Sequence, residues 1–212
     1  PEDGWQKYCV PSKDLVAAYD AEGDETRKNA NIIFMTTDDN GDPISWADEN
    51  WNPCQNPEIG TPFNYKQKHP GGWASGDNYY MLRLADILLL KAEALNESGN
   101  TTEAASLVNS IRNRVGLAAV NGLSKEEMKN AILNERRLEL AFEAHRWDDL
   151  IRNEVATTVM QALNEYTFSC VDGAPGNPVK MDYSACDRNH WILPIPQLEI
   201  DANPNLVQNA GY

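Results

Sequence analysis

The chain has 212 residues, 42% of them hydrophobic and 24% charged, a globular composition with room for one large domain or two small ones. Its 18 basic and 32 acidic residues give a formal charge of −14, which repels phosphate backbones and anionic lipid surfaces and argues against nucleic-acid binding. Apolar runs such as Ile87–Leu90 fall far short of the roughly 20 residues that cross a bilayer, and no signal-peptide pattern follows Pro1, so the chain reads as trimmed at its N-terminus.

Residues 1–78 are dense in turn formers, among them Asn40-Gly41-Asp42-Pro43, Asn52-Pro53, Asn56-Pro57 and Pro70-Gly71-Gly72. Beyond a short helix near Ser12–Tyr19, this region reads as loops with a few short strands. From Tyr79 the pattern changes: Met81, Leu84, Ala85, Leu88, Ala92 and Leu95 recur at helical spacing. Leucines also occupy the opposite face, which predicts a helix packed on most sides.

Gly99-Asn100 ends that helix, and Asn100 is placed as N-cap of a second one carrying Ala104, Leu107, Val108, Ile111 and Val115 up to Gly116. Two antiparallel helices within about 38 residues approximate one tetratricopeptide-like unit, which cannot bury its apolar faces alone. Ser124 and Glu127 form a capping box for a third helix with Met128, Ala131, Ile132, Leu138 and Phe142, running on or bending through Leu150. A weaker helical segment spans Val155–Tyr166. From Thr167 onward the prolines and glycines exclude a long helix, and an extended tail is expected. The expected fold is therefore mainly α, a tetratricopeptide-like α/α superhelical framework over 79–166 with long loop-rich insertions and an extended C-terminal tail over 167–212.

The acidic and basic residues Glu135, Arg136, Arg137, Glu139, Glu143, Arg146, Asp148 and Asp149 include carboxylates that could pair for glycoside hydrolysis. At offsets of three and four they instead form ion pairs, and Glu139 with Glu143 and Arg146 is expected to lock the helix to a neighbour. His69, His145 and His190 are scattered, and no serine or cysteine sits in a nucleophile elbow. No catalytic residue is assigned.

Sugar rings present flat apolar faces that stack on aromatic side chains, while amides and carboxylates bind their hydroxyl rims. Trp46, Trp51, Tyr65 and Trp73 lie among Asp48, Glu49, Asn50, Asn52, Gln55 and Asn64, which makes this loop region the candidate ligand site. The competing reading is that the tryptophans plug loops onto the core. Trp5, Trp147 and Trp191 are read as structural. Asp38, Asn40, Asp42 and Glu49 repeat the one, three, five, twelve spacing of a calcium loop, but Pro43 replaces the glycine of the sharp turn. Only a looser calcium site is compatible with that; no other cofactor is expected. Cys9, Cys54, Cys170 and Cys186 lack zinc-site spacing, and in an exported protein Cys170 and Cys186 would be the pair to close the Gly/Pro-rich stretch between them.

Four segments in order resemble the SusD/RagB family: Leu15–Arg27 (LVAAYDAEGDETR), Tyr80–Glu97 (YMLRLADILLLKAEALNE), Glu135–Arg152 (ERRLELAFEAHRWDDLIR), and the terminal Leu193-Pro-Ile-Pro with Asn203–Tyr212. Ala144 departs from a usual glycine and Ala210 from a common proline. The resemblance implies a non-enzymatic outer-membrane lipoprotein, facing outward over a SusC-like TonB-dependent channel and binding oligosaccharides or other nutrients. It also implies that residues 1–212 are a C-terminal portion, with the lipid-anchored N-terminal half lying outside this chain. The rival expectations are a module that only docks the channel, and a peptide or glycopeptide ligand in place of a glycan.

Overall fold

The computed structural model describes residues 10–37, 60–66, 80–167, 170–171, 174–175 and 179–212. They fall into two units, one formed by 1–146 with 165–179 and the other by 147–164 with 180–212.

In the first unit, Ser12 caps α1 (Lys13–Glu22) by accepting the Leu15 N–H at 3.1 Å, and Gly23, at φ 68°, ends it. Asp24 then caps α2 (Glu25–Asn31) through the Arg27 N–H. This second helix is absent from the sequence reading, because seven residues reading ETRKNAN offer no apolar period; the residues it buries are Arg27 and Asn31. The chain continues directly into β1 (Ile32–Met35), which pairs antiparallel with β2 (Thr61–Asn64) from Ile32↔Asn64 to Met35↔Thr61. A side chain at Gly60, itself at φ 78°, would meet the Met35 carbonyl at 2.6 Å, so glycine is required where β2 begins.

The expected helical framework is present as α3 (Leu84–Glu97), α4 (Thr101–Arg114) and α5 (Lys125–Glu139). Leu89 and Ala92 pack with Ala104, Ala105, Val108 and Ile111 of α4 and with Met128 and Ile132 of α5. The alanines let the helix backbones approach closely, and the larger side chains fill the space between. Glu127 and Ser124 form the capping box at the start of α5. Asn100 stands at the N-cap of α4 without a side-chain cap bond. The sequence reading missed a different link: the buried Asn96 accepts from Thr101 Oγ1 at 2.9 Å and donates to the Lys125 carbonyl at 2.8 Å, joining all three helices.

Two further expectations are corrected. Among the described residues α3 buries one face, with Leu89 fully buried, while Leu84 is 73% and Ile87 49% exposed. And α5 stops at Glu139, followed by a turn in which Phe142 (φ 65°) and Ala144 (φ 64°) are left-handed. That conformation costs an L-residue about 1–2 kcal/mol, which explains the glycine of the family pattern at Ala144. Ala144→Gly is expected to stabilise the protein by about 0.5–1 kcal/mol, because relief of strain exceeds the added unfolded-state entropy. A higher denaturant midpoint at unchanged slope is the check.

A second core, formed by Val16, Tyr19, Ile32, Leu138 and Ala141, joins α1 and β1 to the end of α5. β3 (Tyr166–Thr167) pairs with β6 (Val179–Lys180), and β4 (Cys170–Val171) with β5 (Ala174–Pro175). Cys186 is a free thiol, and the side chain of Cys170, its candidate partner, lies outside what the structure describes.

The second unit contains α6 from Trp147 onward (Arg146–Arg152 in full) and α7 (Ala156–Ala162), with one 3-10 turn at Arg188–His190 and a short α8 (Gln197–Ala202) interrupting the otherwise extended tail. Trp191 is structural, as expected, donating from Nε1 to Thr157 Oγ1 at 3.1 Å. The tail is pinned to itself: the Gln208 amide bonds both the N–H and the carbonyl of Ile195, at 2.8 and 2.9 Å, and Asn209 donates to the Leu193 carbonyl at 2.7 Å.

Candidate functional site

The α5 segment Glu135–Glu139 directs charges inward, which is tolerable only if each is matched. Glu135 accepts from Arg27 Nη1 at 2.7 Å and from Arg112 Nη1 at 3.0 Å, and Arg112 also reaches Glu22 at 2.9 Å. Arg136 pairs with Asp86 of α3 at 2.8 Å, and Arg137 with Asp14 of α1. Tyr19, fully buried, donates to the Leu138 carbonyl and accepts from Asn31, both at 2.8 Å, and burial pushes its hydroxyl up to about 12.

At the end of α5 the charges converge more closely. Glu139 is bound by Arg27 at 3.1 Å, Arg83 at 2.7 Å and Arg114 at 2.5 Å. Glu143, in the left-handed turn, is held by both arms of the Arg83 guanidinium at 2.7 and 2.8 Å and by Lys66 Nζ at 2.5 Å. Lys66 also donates to the Glu139 carbonyl at 2.7 Å. Burial alone would raise both carboxyls; the hydrogen bonds from Arg83, with Lys66 added at Glu143, instead hold both below the usual carboxylate range. Burial likewise lowers Lys66, against the pull of Glu143. A general acid for glycoside cleavage needs a raised carboxyl, the opposite of what Arg83 imposes here. Glu139 and Glu143 therefore lock the end of α5 to its neighbours, as expected, but through Arg27, Arg83, Arg114 and Lys66 of other elements rather than through helical spacing.

Trp46, Trp51, Trp73, Asp48, Asn50 and Asn52, with Glu49 and Gln55, lie outside the described residues, as do the calcium-spaced Asp38, Asn40, Asp42 and Glu49. Of the aromatic set Tyr65 is described: it is half-buried just after β2, with its N–H bonded to the Asn31 carbonyl at 2.8 Å. Asn64 turns its side-chain oxygen to the Lys66 N–H. The β1–β2 ladder sets the two ends of the stretch carrying Trp46 and Trp51 side by side, and Lys66 and Arg83, on either side of the stretch carrying Trp73, meet at Glu143. Sequence reasoning missed Lys66 and Arg83, since their acidic partners are distant along the chain.

Among the described residues, no group of His, Cys, Asp and Glu could hold a metal ion, and no helix is long and apolar enough to cross a membrane. A groove of about 360 Å³ beside α4 is lined by Thr101, Thr102, Ser106 and Asn109, without an aromatic ring. One of about 410 Å³ in the second unit is lined by Gln161, Lys180, Met181, Asp182 and Tyr183.

Comparison with known proteins gives a consistent result. The family model of the SusD family matches residues 1–212. A SusD-like protein of Formosa agariphila is 31% identical over 224 residues, covering 99% of this chain and 41% of its own length. A second from the same organism is 46% identical over 144 residues, covering 64% of this chain and 25% of its own length. Among solved structures, a SusD-like protein from Bacteroides fragilis superposes with a TM-score of 0.63 at 25% identity, over 99% of this chain and 43% of the other. Surface glycan-binding protein A from Bacteroides thetaiotaomicron shares the fold with a TM-score of 0.55 at 22% identity, over 96% of this chain and 41% of the other. The chain thus spans less than half the length of these relatives.

Proposed function

The chain belongs to the SusD family, and from that premise we propose that it serves a non-catalytic cell-surface protein that captures glycans and passes them to a TonB-dependent outer-membrane channel. The observation that carries this reading is the family match over residues 1–212. A fold neighbour named as a surface glycan-binding protein supports the ligand class.

In this reading Trp46, Trp51, Tyr65 and Trp73 supply stacking faces for sugar rings, and Asp48, Asn50 and Asn52 bind hydroxyls. Asp38, Asn40, Asp42 and Glu49 are the oxygen ligands for a calcium ion at the same region. The protein sits on the outward face of the outer membrane, anchored by lipid, above a SusC-like channel.

Affinity electrophoresis through a panel of soluble polysaccharides tests the site. Retardation of the wild type by at least one glycan, lost in Trp46→Ala/Trp51→Ala, is the expected result. Retardation that survives the double change moves the site elsewhere, and no retardation, even with the full-length protein, removes the glycan reading.

One observation favours a second role. Tyr80, Met81, Leu84 and Ile87 are exposed apolar residues on and just before α3, more than a solvated helix needs. They suit a protein surface, and docking of the channel or binding of a peptide nutrient is the reading left if no glycan is retained.

A further inference from the structure

Away from the stretches that carry the tryptophans, the second unit holds a groove of about 410 Å³ between the end of α7 and residues 180–184. That size lies within the roughly 300–1,000 Å³ of small-molecule sites. Leu163, just past α7, and Met181 give the groove apolar wall, and the half-buried Tyr183 brings an aromatic side chain. Lys180 and Asp182 line it as well. The wall is tied down within its own unit. Gln161 of α7 donates from Nε2 to the carbonyls of Ser184 and Cys186, both at 3.3 Å, and Asp182 accepts the Ser184 N–H at 2.8 Å. The Tyr183 carbonyl accepts the Cys186 N–H at 3.0 Å. The hydrogen bonds from Ser184, its N–H first, hold the Asp182 carboxyl below the usual carboxylate range.

An ionised carboxylate only accepts hydrogen bonds, and an ammonium only donates them. Two neighbouring hydroxyls of a pyranose answer both, one donating to Asp182 while the next accepts from Lys180, and the flat carbon face of the same ring suits Tyr183. The groove beside α4 offers hydroxyls and amides but no aromatic side chain to complete such a set. A sugar acid would bring its carboxylate against Asp182 in a chain of formal charge −14, which favours a neutral sugar. We propose that this groove is a second sugar-binding site, taking one neutral pyranose unit with Tyr183 against the ring and Lys180 and Asp182 on adjacent hydroxyls. The ligand class rests on the glycan reading, while the groove is independent of the tryptophan-bearing stretches.

The test uses the full chain with Trp46→Ala/Trp51→Ala, so that binding cannot come from those two residues. Glucose, galactose, mannose and glucuronate are titrated one at a time, followed by the amide NMR signals of Gln161, Leu163 and 180–184. At least one neutral sugar is expected to shift these signals saturably in the millimolar range, too weak to retard the protein in a gel, with glucuronate about tenfold weaker. Tyr183→Ala should weaken that sugar about tenfold, and so should Asp182→Asn, which can still accept the Ser184 N–H but loses the charge. Tyr183→Phe keeps the ring and should change affinity by about twofold at most. The Trp191 indole signal, from the group bonded to Thr157 in the same unit, shows whether each variant stays folded. Should Tyr183→Ala unfold the unit, Lys180→Met, with the same expected loss, takes its place.

No saturable shift with any neutral sugar, glucuronate binding as tightly as the neutral sugars, or unchanged affinity in the folded variants would overturn the proposal. Retardation of the wild type by a polysaccharide while the groove signals stay still leaves glycan capture standing and overturns this site. Saturable groove shifts without any retardation support this site and remove the tryptophan-based one.

Discussion

Glu135→Ala is expected to lower stability by about 3–5 kcal/mol, the range for removing one partner of a buried ion pair. Glu135 is fully buried and receives Arg27 at 2.7 Å and Arg112 at 3.0 Å from two different helices. Its loss leaves two guanidinium groups drawn into the interior with less counter-charge. Arg27 retains Asp24 and Glu139, and Arg112 retains Glu22, which keeps the cost within that range. The same change at a solvated pair, Glu154 with the exposed Arg188, should cost no more than about 1 kcal/mol. Denaturant unfolding of the two variants side by side makes the comparison, and equal shifts would show that the buried charges contribute no more than surface ones.

The second large effect separates neighbouring leucines of one helix. Leu89→Ala should cost about 2–5 kcal/mol, because a fully buried side chain at the junction of α3, α4 and α5 leaves a cavity as well as lost transfer energy. Leu84→Ala should stay within about 0.5 kcal/mol, since Leu84 is 73% exposed. Equal costs for the two would mean that α3 is covered on both faces, as its leucine-rich sequence suggests.

That pair of residues also shows where sequence reading stops. Helical spacing and the Ser124–Glu127 box locate α3, α4 and α5 well, because period and caps are local properties. With leucines around most of α3, the buried face is selected by the partners instead, by Ala104, Ala105 and Met128, and no window along α3 contains them. The α2 helix was missed for a related reason. It is short and polar, and what holds it is Asp24 as cap and Arg27 reaching Glu135, 108 residues further along the chain.

The same holds for the charged string on α5. Offsets of three and four mark Glu139 and Glu143 as ion-pairing residues, and the structure pairs both, but with cations far along the chain. They cannot reveal that Arg83 arrives from 60 residues earlier. Trp46, Trp51 and Trp73 are legible as candidates through residue chemistry, since their flat apolar faces suit sugar rings.

The most direct test of the central claim, glycan capture without chemistry, is calorimetric titration of the wild-type chain with a glycan that retards it, followed by recovery of that glycan and determination of its chain length. The expected result is saturable binding with the glycan recovered at unchanged length after prolonged incubation. Shortened glycan would contradict the non-catalytic reading, and the absence of saturable heat with every glycan tested would contradict glycan capture itself.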